Sequence, residues 1–190
     1  MCGATPIDSG NDNPGSLFEA EKLGQFRIEL LDTYPDEFAL LESEREALTA
    51  VPTDNLEAYE YYLRGSEYFT KRYGPEMSRM AVQMFERAIE LDPEFTEAWA
   101  GLSASIIWDF YTRYSSDPSM KAKAKAAVDK AYDLDPGSPA VQMALGYYYY
   151  YGNHEFKRAL EYFETASDSR PNDIDALDAI AFIDRRLGKW

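Results

Sequence analysis

The chain has 190 residues, 45% of them hydrophobic, with a formal charge of −15. That length fits one domain with a continuous buried core, and no apolar run reaches the length that spans a bilayer. The acidic balance argues against nucleic acid and anionic membrane surfaces, which select basic proteins, and it serves solubility equally well.

Residues 1–16 are rich in Gly, Pro, Asn, Asp and Ser, lack apolar periodicity and read as a flexible N-terminal arm. Ser16 followed by Glu19 predicts a capped helix carrying Leu17, Phe18, Leu23, Phe26, Leu30 and Leu31, ending before Pro35. A shorter helix follows, with Phe38, Leu41 and Leu48 on its apolar side. Together, residues 17–53 are expected to form capping helices over the open end of what comes next. Pro52 breaks the chain, and Asp54 with Glu57 restarts it by the same capping logic.

From there one pattern is written three times, at 81–93, 124–136 and 159–171. Each copy has Ala at its first and eighth positions, a bulky or apolar fifth residue (Phe85, Val128, Phe163) and a closing proline (Pro93, Pro136, Pro171). Alanines seven apart share one helix face, where the missing side chain lets a neighbouring helix approach closely. Proline cannot continue that helix, so each copy is a close-packed helix and then a stop. The last two prolines are 35 residues apart and the first two 43, so the middle unit is expanded. The extra length is expected to extend its two helices around Ser115-Ser116-Asp117-Pro118, with a smaller expansion of the first unit around Tyr73-Gly74-Pro75. After Asn172-Asp173 a last helix runs toward Trp190, with Ala176, Leu177, Ile180 and Ala181 at core-like spacing. It reads as the first half of a fourth unit, and either the chain is a piece of a longer protein or this helix solvates its end.

The three windows resemble the second helix of the tetratricopeptide repeat (TPR), a helix–turn–helix unit of about 34 residues. First helices match as well: Leu145-Gly146 with Tyr149, Gly65 with Tyr68 (Arg64 standing for Leu), and Trp99 with Leu102 (Ser103 standing for Gly). The resemblance covers residues 54–190 and implies an all-α fold, a right-handed superhelical stack of antiparallel helix pairs (a TPR-like α-solenoid) with three repeats and a terminal helix. The stretches 51–65 and 179–190 are similar to TPR arrays of bacterial signalling proteins, where such arrays follow cyclase, kinase or DNA-binding modules. None of those modules is present in these residues, so what the resemblance implies is an interaction or sensor array in a bacterial signalling or envelope assembly.

Cys2 is the only cysteine, which leaves no internal disulfide and no cysteine-pair metal site. Cys-Gly ahead of a polar arm is how a mature bacterial lipoprotein begins, with Met1 replacing the apolar signal. An ordinary second residue is the alternative, so a lipid tether and an extracytoplasmic or cytoplasmic location both stay open. Catalytic groupings do not assemble. His154 is the only histidine and falls at a predicted turn, Gly188-Lys189 lacks the rest of a phosphate loop, and Asp168, Asp173 and Asp175 lack the pattern of a calcium loop. No cofactor, no metal and no enzymatic activity are expected.

In a TPR stack the first helix of each repeat lines the concave surface. Aligning the units places Tyr59, Tyr62 and Phe69 there, then Glu97, Ala104, Ile107 and Trp108, then Met143, Tyr147, Tyr150 and Tyr151, and finally Asp178, Phe182 and Arg185. Of these, Tyr59, Tyr62, Phe69, Trp108, Tyr147, Tyr150, Tyr151 and Phe182 are the expected partner-binding residues. They read either as an aromatic peptide groove or as packing between repeats. The positions at which chaperone-tail binders hold a terminal carboxylate carry Tyr62, Ser66 and Glu97, which disfavours an acidic C-terminal peptide. The expected ligand is a neutral or basic protein segment. Self-association through the exposed last helix is an alternative, and so is a small-molecule pocket between the long middle helices around Trp108, Tyr111 and Tyr114.

Overall fold

The computed structural model describes residues 52–71, 75–113 and 117–189. Every described residue belongs to one compact unit, Ala50–Trp190. The expected arm, the leading helices, Cys2, Tyr73-Gly74, Tyr114, Ser115-Ser116 and Trp190 lie outside the described residues.

The described residues form helices only: α1 (Leu56–Thr70), α2 (Pro75–Leu91), α3 (Thr96–Thr112), α4 (Pro118–Leu134), α5 (Pro139–Tyr147), α6 (Phe156–Ser169) and α7 (Ile174–Leu187). A π-helical segment, Tyr148–Asn153, continues α5. Sequential helices pack as pairs, α1 with α2, α3 with α4, α5 with α6, and α7 follows on α6. Successive first helices also touch, α1 with α3 and α3 with α5, so the pairs stack into an α-solenoid.

Local chemistry sets the helix bounds. Each repeated window ends its helix two residues before its proline, at Leu91, Leu134 and Ser169. Asp117 caps α4 by accepting from the Ser119 amide, with Pro118 in the first turn where its missing N–H costs nothing. Asp173 caps α7 by accepting from the amides of Asp175 and Ala176. The start expected at Asp54 falls instead at Asn55, whose side-chain oxygen accepts from the Ala58 amide. Its side-chain amide also donates to the Leu91 carbonyl, so one residue caps α1 and ties it to the end of α2.

Small residues opposite large ones hold the pairs together. Ala81, Ala88, Ala124, Ala131, Ala159 and Ala166 are all buried. A Cβ at Gly65 would lie 2.8 Å from the Phe85 ring and one at Gly101 2.6 Å, so that ring is clamped between α1 and α3. Gly146 receives Phe163 in the same way, at 2.4 Å. The middle repeat departs from glycine at Ser103, and its partner helix compensates. The Ser103 hydroxyl donates to the Ala124 carbonyl at 2.8 Å, and Val128 stands where the other copies have phenylalanine. Each buried ring contributes about 1.5–3 kcal/mol of transfer free energy.

Helix α7 differs from the sequence expectation in its buried face. Ala176, Ala179 and Ile183 are buried and Ile180 is half-buried, whereas Leu177 and Ala181 are exposed. Residues three or four apart share a helix face, and Leu177 and Ala181 lie one step of about 100° round from the stripe that meets α6. Helices α3 and α4 have 17 residues each, against 9 in α5 and 14 in α6, so the middle repeat is the longer one.

Candidate functional site

The end of α5 shapes the site. After Tyr147 the backbone changes from α- to π-helical, and it closes at His154 in the left-handed region (φ 58°) with its N–H donating to the Tyr149 carbonyl. An i→i+5 turn is wider than an α turn and re-aims the side chains it carries. Gly152 permits this, because a Cβ there would come within 2.9 Å of Ile107. Five consecutive tyrosines are thereby divided. Tyr149 stacks on Tyr162 at 5.5 Å beneath the Arg158 guanidinium, 3.9 Å from the ring. Tyr150 is buried and accepts a 2.5 Å hydrogen bond from Arg186 Nε. Tyr151 packs 5.2 Å from Trp108 and 4.7 Å from Tyr111.

Those last rings wall a cavity of about 530 Å³ between α3, α5 with its π-segment, and α7. Helix α3 supplies Trp108 and Tyr111, the next element Tyr147, Tyr150 and Tyr151, and α6 the ring of Phe163. Helix α7 supplies the opposite side: Asp175, Asp178, Ala179, Phe182, Arg185 and Arg186. Thr70 closes the end nearest α1, its own hydroxyl donating to the Ser66 carbonyl. Space exists because position 179 is small. Ala179 lies eight residues after Pro171, the register in which Gly101 follows Pro93 and Ala144 follows Pro136.

The charges on α7 are unevenly satisfied. Arg186 is held by Tyr150 and lies 5.4 Å from the ring centres of Tyr150 and Phe156. The exposed Arg185 lies 5.3 Å from the Phe182 ring and has no carboxylate partner among the described residues. Asp175 and Asp178 are likewise exposed and without an ion-pair partner among the described residues.

Five of the sequence-predicted residues, Trp108, Tyr147, Tyr150, Tyr151 and Phe182, meet at this cavity. Phe69 stands just outside it, edge-on to Tyr147 at 6.3 Å. Tyr59 and Tyr62 do not join them. They stack on each other at 6.1 Å, and Tyr62 packs 4.9 Å from Phe95 and 5.9 Å from Phe85. Burial raises the Tyr62 phenol above its ordinary pKa, opposed by a hydrogen bond with Ser66 and reinforced by the charge of Glu97. Ile107 and Ala104, expected on the concave surface, are core residues, Ile107 being covered by the Gly152 backbone. The pocket expected between the two middle helices lies instead on the other side of α3, where Trp108 and Tyr111 face the π-segment. The sequence does not single out Arg186, and it raises Asp175 only as a calcium-loop candidate, although both lie within one turn of residues expected on the concave surface of the same helix.

A wider, polar depression at the start of α1, lined by Thr53, Asp54, Glu57, Asp92 and Glu94 among others, has no aromatic wall. Among the described residues no helix is long and apolar enough to cross a membrane.

No protein-family model matches the chain. No curated protein matches it either. Among solved structures it is similar to the first TPR domain of Spaghetti (RPAP3) bound to the HSP90 peptide SRMEEVD, at 16% identity and a TM-score of 0.49, covering 73% of this chain and 99% of that one. The Arabidopsis OM64 TPR domain is similar at 15% identity and a TM-score of 0.49, covering 68% of this chain and 96% of its own. The first TPR domain of human RPAP3 is similar at 15% identity and 0.48, with 70% and 93% covered.

Proposed function

We propose that this chain is a non-catalytic interaction module that holds a peptide segment of a partner protein in the cavity between α3, α5 and α7. The observation that carries the reading is a concavity of about 530 Å³ lined by rings from four helices, α3, α5 with its π-segment, α6 and α7. Rings held on rigid helices offer large contact area and lose little freedom on binding. The lining holds no histidine or cysteine, and its one aliphatic hydroxyl, that of Thr70, already donates to a backbone carbonyl. The setting, from the sequence resemblance, is a bacterial signalling or envelope assembly.

A random peptide library displayed on phage and selected on the immobilised full chain tests the reading. The expected result is an enriched family whose synthetic member binds saturably and binds Phe182→Ala about tenfold more weakly. Absence of enrichment, or affinity unchanged by Phe182→Ala, would overturn it.

A second reading rests on the cavity volume, which lies within the range of small-ligand sites. A melting-temperature shift by small aromatic compounds, abolished in Phe182→Ala, together with an unproductive peptide selection, would favour a sensor.

A further inference from the structure

Four cavity-lining residues of α7 lie on one helical face in the order Asp175, Asp178, Phe182, Arg185. At 1.5 Å of rise per residue, the two carboxylates stand about 10–15 Å along the helix axis from the guanidinium. Both carboxylates are exposed and have no ion-pair partner among the described residues, and the Arg185 guanidinium lies 5.3 Å from the centre of the Phe182 ring. Arg186 is different, being engaged by the Tyr150 hydroxyl, and so belongs to the wall rather than to the reading face. Across the cavity stands the Tyr151 ring, with no charge of its own. The site is thus apolar in the middle, negative at one end and positive at the other. An unpaired charge beside a partly desolvated wall selects an opposite charge in whatever binds, and it penalises a like one.

We infer that the bound segment carries a Lys or Arg and an Asp or Glu on either side of an apolar side chain. The apolar residue sits against Phe182 and Tyr151, the basic residue meets Asp175 and Asp178, and the acidic residue meets Arg185. An extended chain advances about 3.3 Å per residue, so the two charges are separated by roughly three to five residues. The formal charge of −15 adds a long-range field that draws the basic end in first. This inference rests on the peptide reading of the same cavity and assigns the chemistry of its ligand.

The test repeats the phage selection on the full wild-type chain, on Asp175→Lys/Asp178→Lys, on Arg185→Glu and on Phe182→Ala, after circular dichroism shows that all four fold alike. The replaced charges are exposed and have no ion-pair partner among the described residues; Asp175 and Arg185 lie in the first and last turns of α7, where reversal opposes the helix dipole, so the four folds are compared before selection. Wild type is expected to enrich an apolar residue flanked by opposite charges at that spacing. The double-lysine variant should select an acidic residue in place of the basic one, and Arg185→Glu a basic residue in place of the acidic one. A wild-type peptide should bind each charge-reversed variant at least about fivefold more weakly at low salt. If all the charge variants enrich the same neutral peptides, and Phe182→Ala loses them, the charge assignment falls and the peptide groove stands. If no protein enriches a peptide, or Phe182→Ala retains the wild-type family, both fall.

Discussion

Two clusters of aromatic rings, built from the same residue types on equivalent first helices, meet different fates. In the first repeat Tyr62 closes onto Phe85 and Phe95 with Tyr59 stacked against it, and both rings are half-buried in that packing. In the third repeat Tyr147, Tyr150 and Tyr151 face α7 and wall a cavity. The difference comes from their surroundings. Beside Tyr62, the loop after α2 brings the ring of Phe95 to 4.9 Å and fills the space. Beside Tyr151, the π-segment widens the helix and α7 presents Ala179, leaving the space open. Tyrosine at helical spacing therefore packs against other rings or lines a cavity according to what the neighbouring element places opposite it.

The largest effect that would break this contrast is expected at the sealed cluster. Tyr62→Ala should cost about 3 kcal/mol in urea unfolding, because a ring packed on two others leaves a cavity, while affinity for a groove peptide stays unchanged in the folded fraction. Equal loss of stability and affinity would merge the two clusters into one function. Next, Gly146→Ala drives a methyl group toward Phe163 and is expected to cost about 1–3 kcal/mol. Adding Phe163→Leu should recover part of that loss in a melting curve, since the shorter side chain makes room. A third variant acts on the open cluster alone. Phe182 is 51% exposed, so Phe182→Ala should change stability by under about 0.5 kcal/mol yet weaken peptide binding about tenfold in fluorescence titration.

The smallest expected effect is a pH dependence near the sealed cluster. Burial raises the Glu97 carboxyl above the usual range, Asp135 adds to the rise, and a backbone hydrogen bond and the charge of Arg170 oppose it. A folded-state pKa raised above the unfolded value means that the folded chain holds its proton longer. The contribution of Glu97 to stability therefore falls as pH rises from the ordinary glutamate value through the raised one. Glu97→Gln should stabilise the chain at neutral pH, with the gain shrinking as the pH falls from the raised value towards the ordinary glutamate value and gone below it. Urea midpoints measured across that window would show it, and a gain that is flat with pH would point to packing instead.

Much of the fold was legible because its signals are local. Alanine at two positions of one helix face and a proline at its end describe close approach and termination within thirteen residues, three times over. The glycine-to-serine departure at Ser103 was visible too, but its compensation by Val128 and the Ala124 carbonyl needed the partner helix. The site was legible only in part. Trp108, Tyr147, Tyr150, Tyr151 and Phe182 were named from register, and so were Tyr59 and Tyr62, because register cannot tell a filled neighbour from an empty one. A run of five tyrosines spans more than one helical turn and so must divide, but no periodic pattern announces a π-segment, so which rings go where stayed hidden, as did the pairing of Arg186 with Tyr150 across 36 positions.

The sequence by itself determined the class of architecture, helix pairs stopped by proline and interlocked through small residues, since helix propensity, capping and period act over a few residues. Only the tertiary structure decided which aromatic rings pack against other rings and which line a cavity. That choice depends on the volume left between elements distant in sequence, here Ala179 opposite Tyr151 and Phe95 beside Tyr62. Burial is a property of neighbours, and neighbours exist only once the chain has folded.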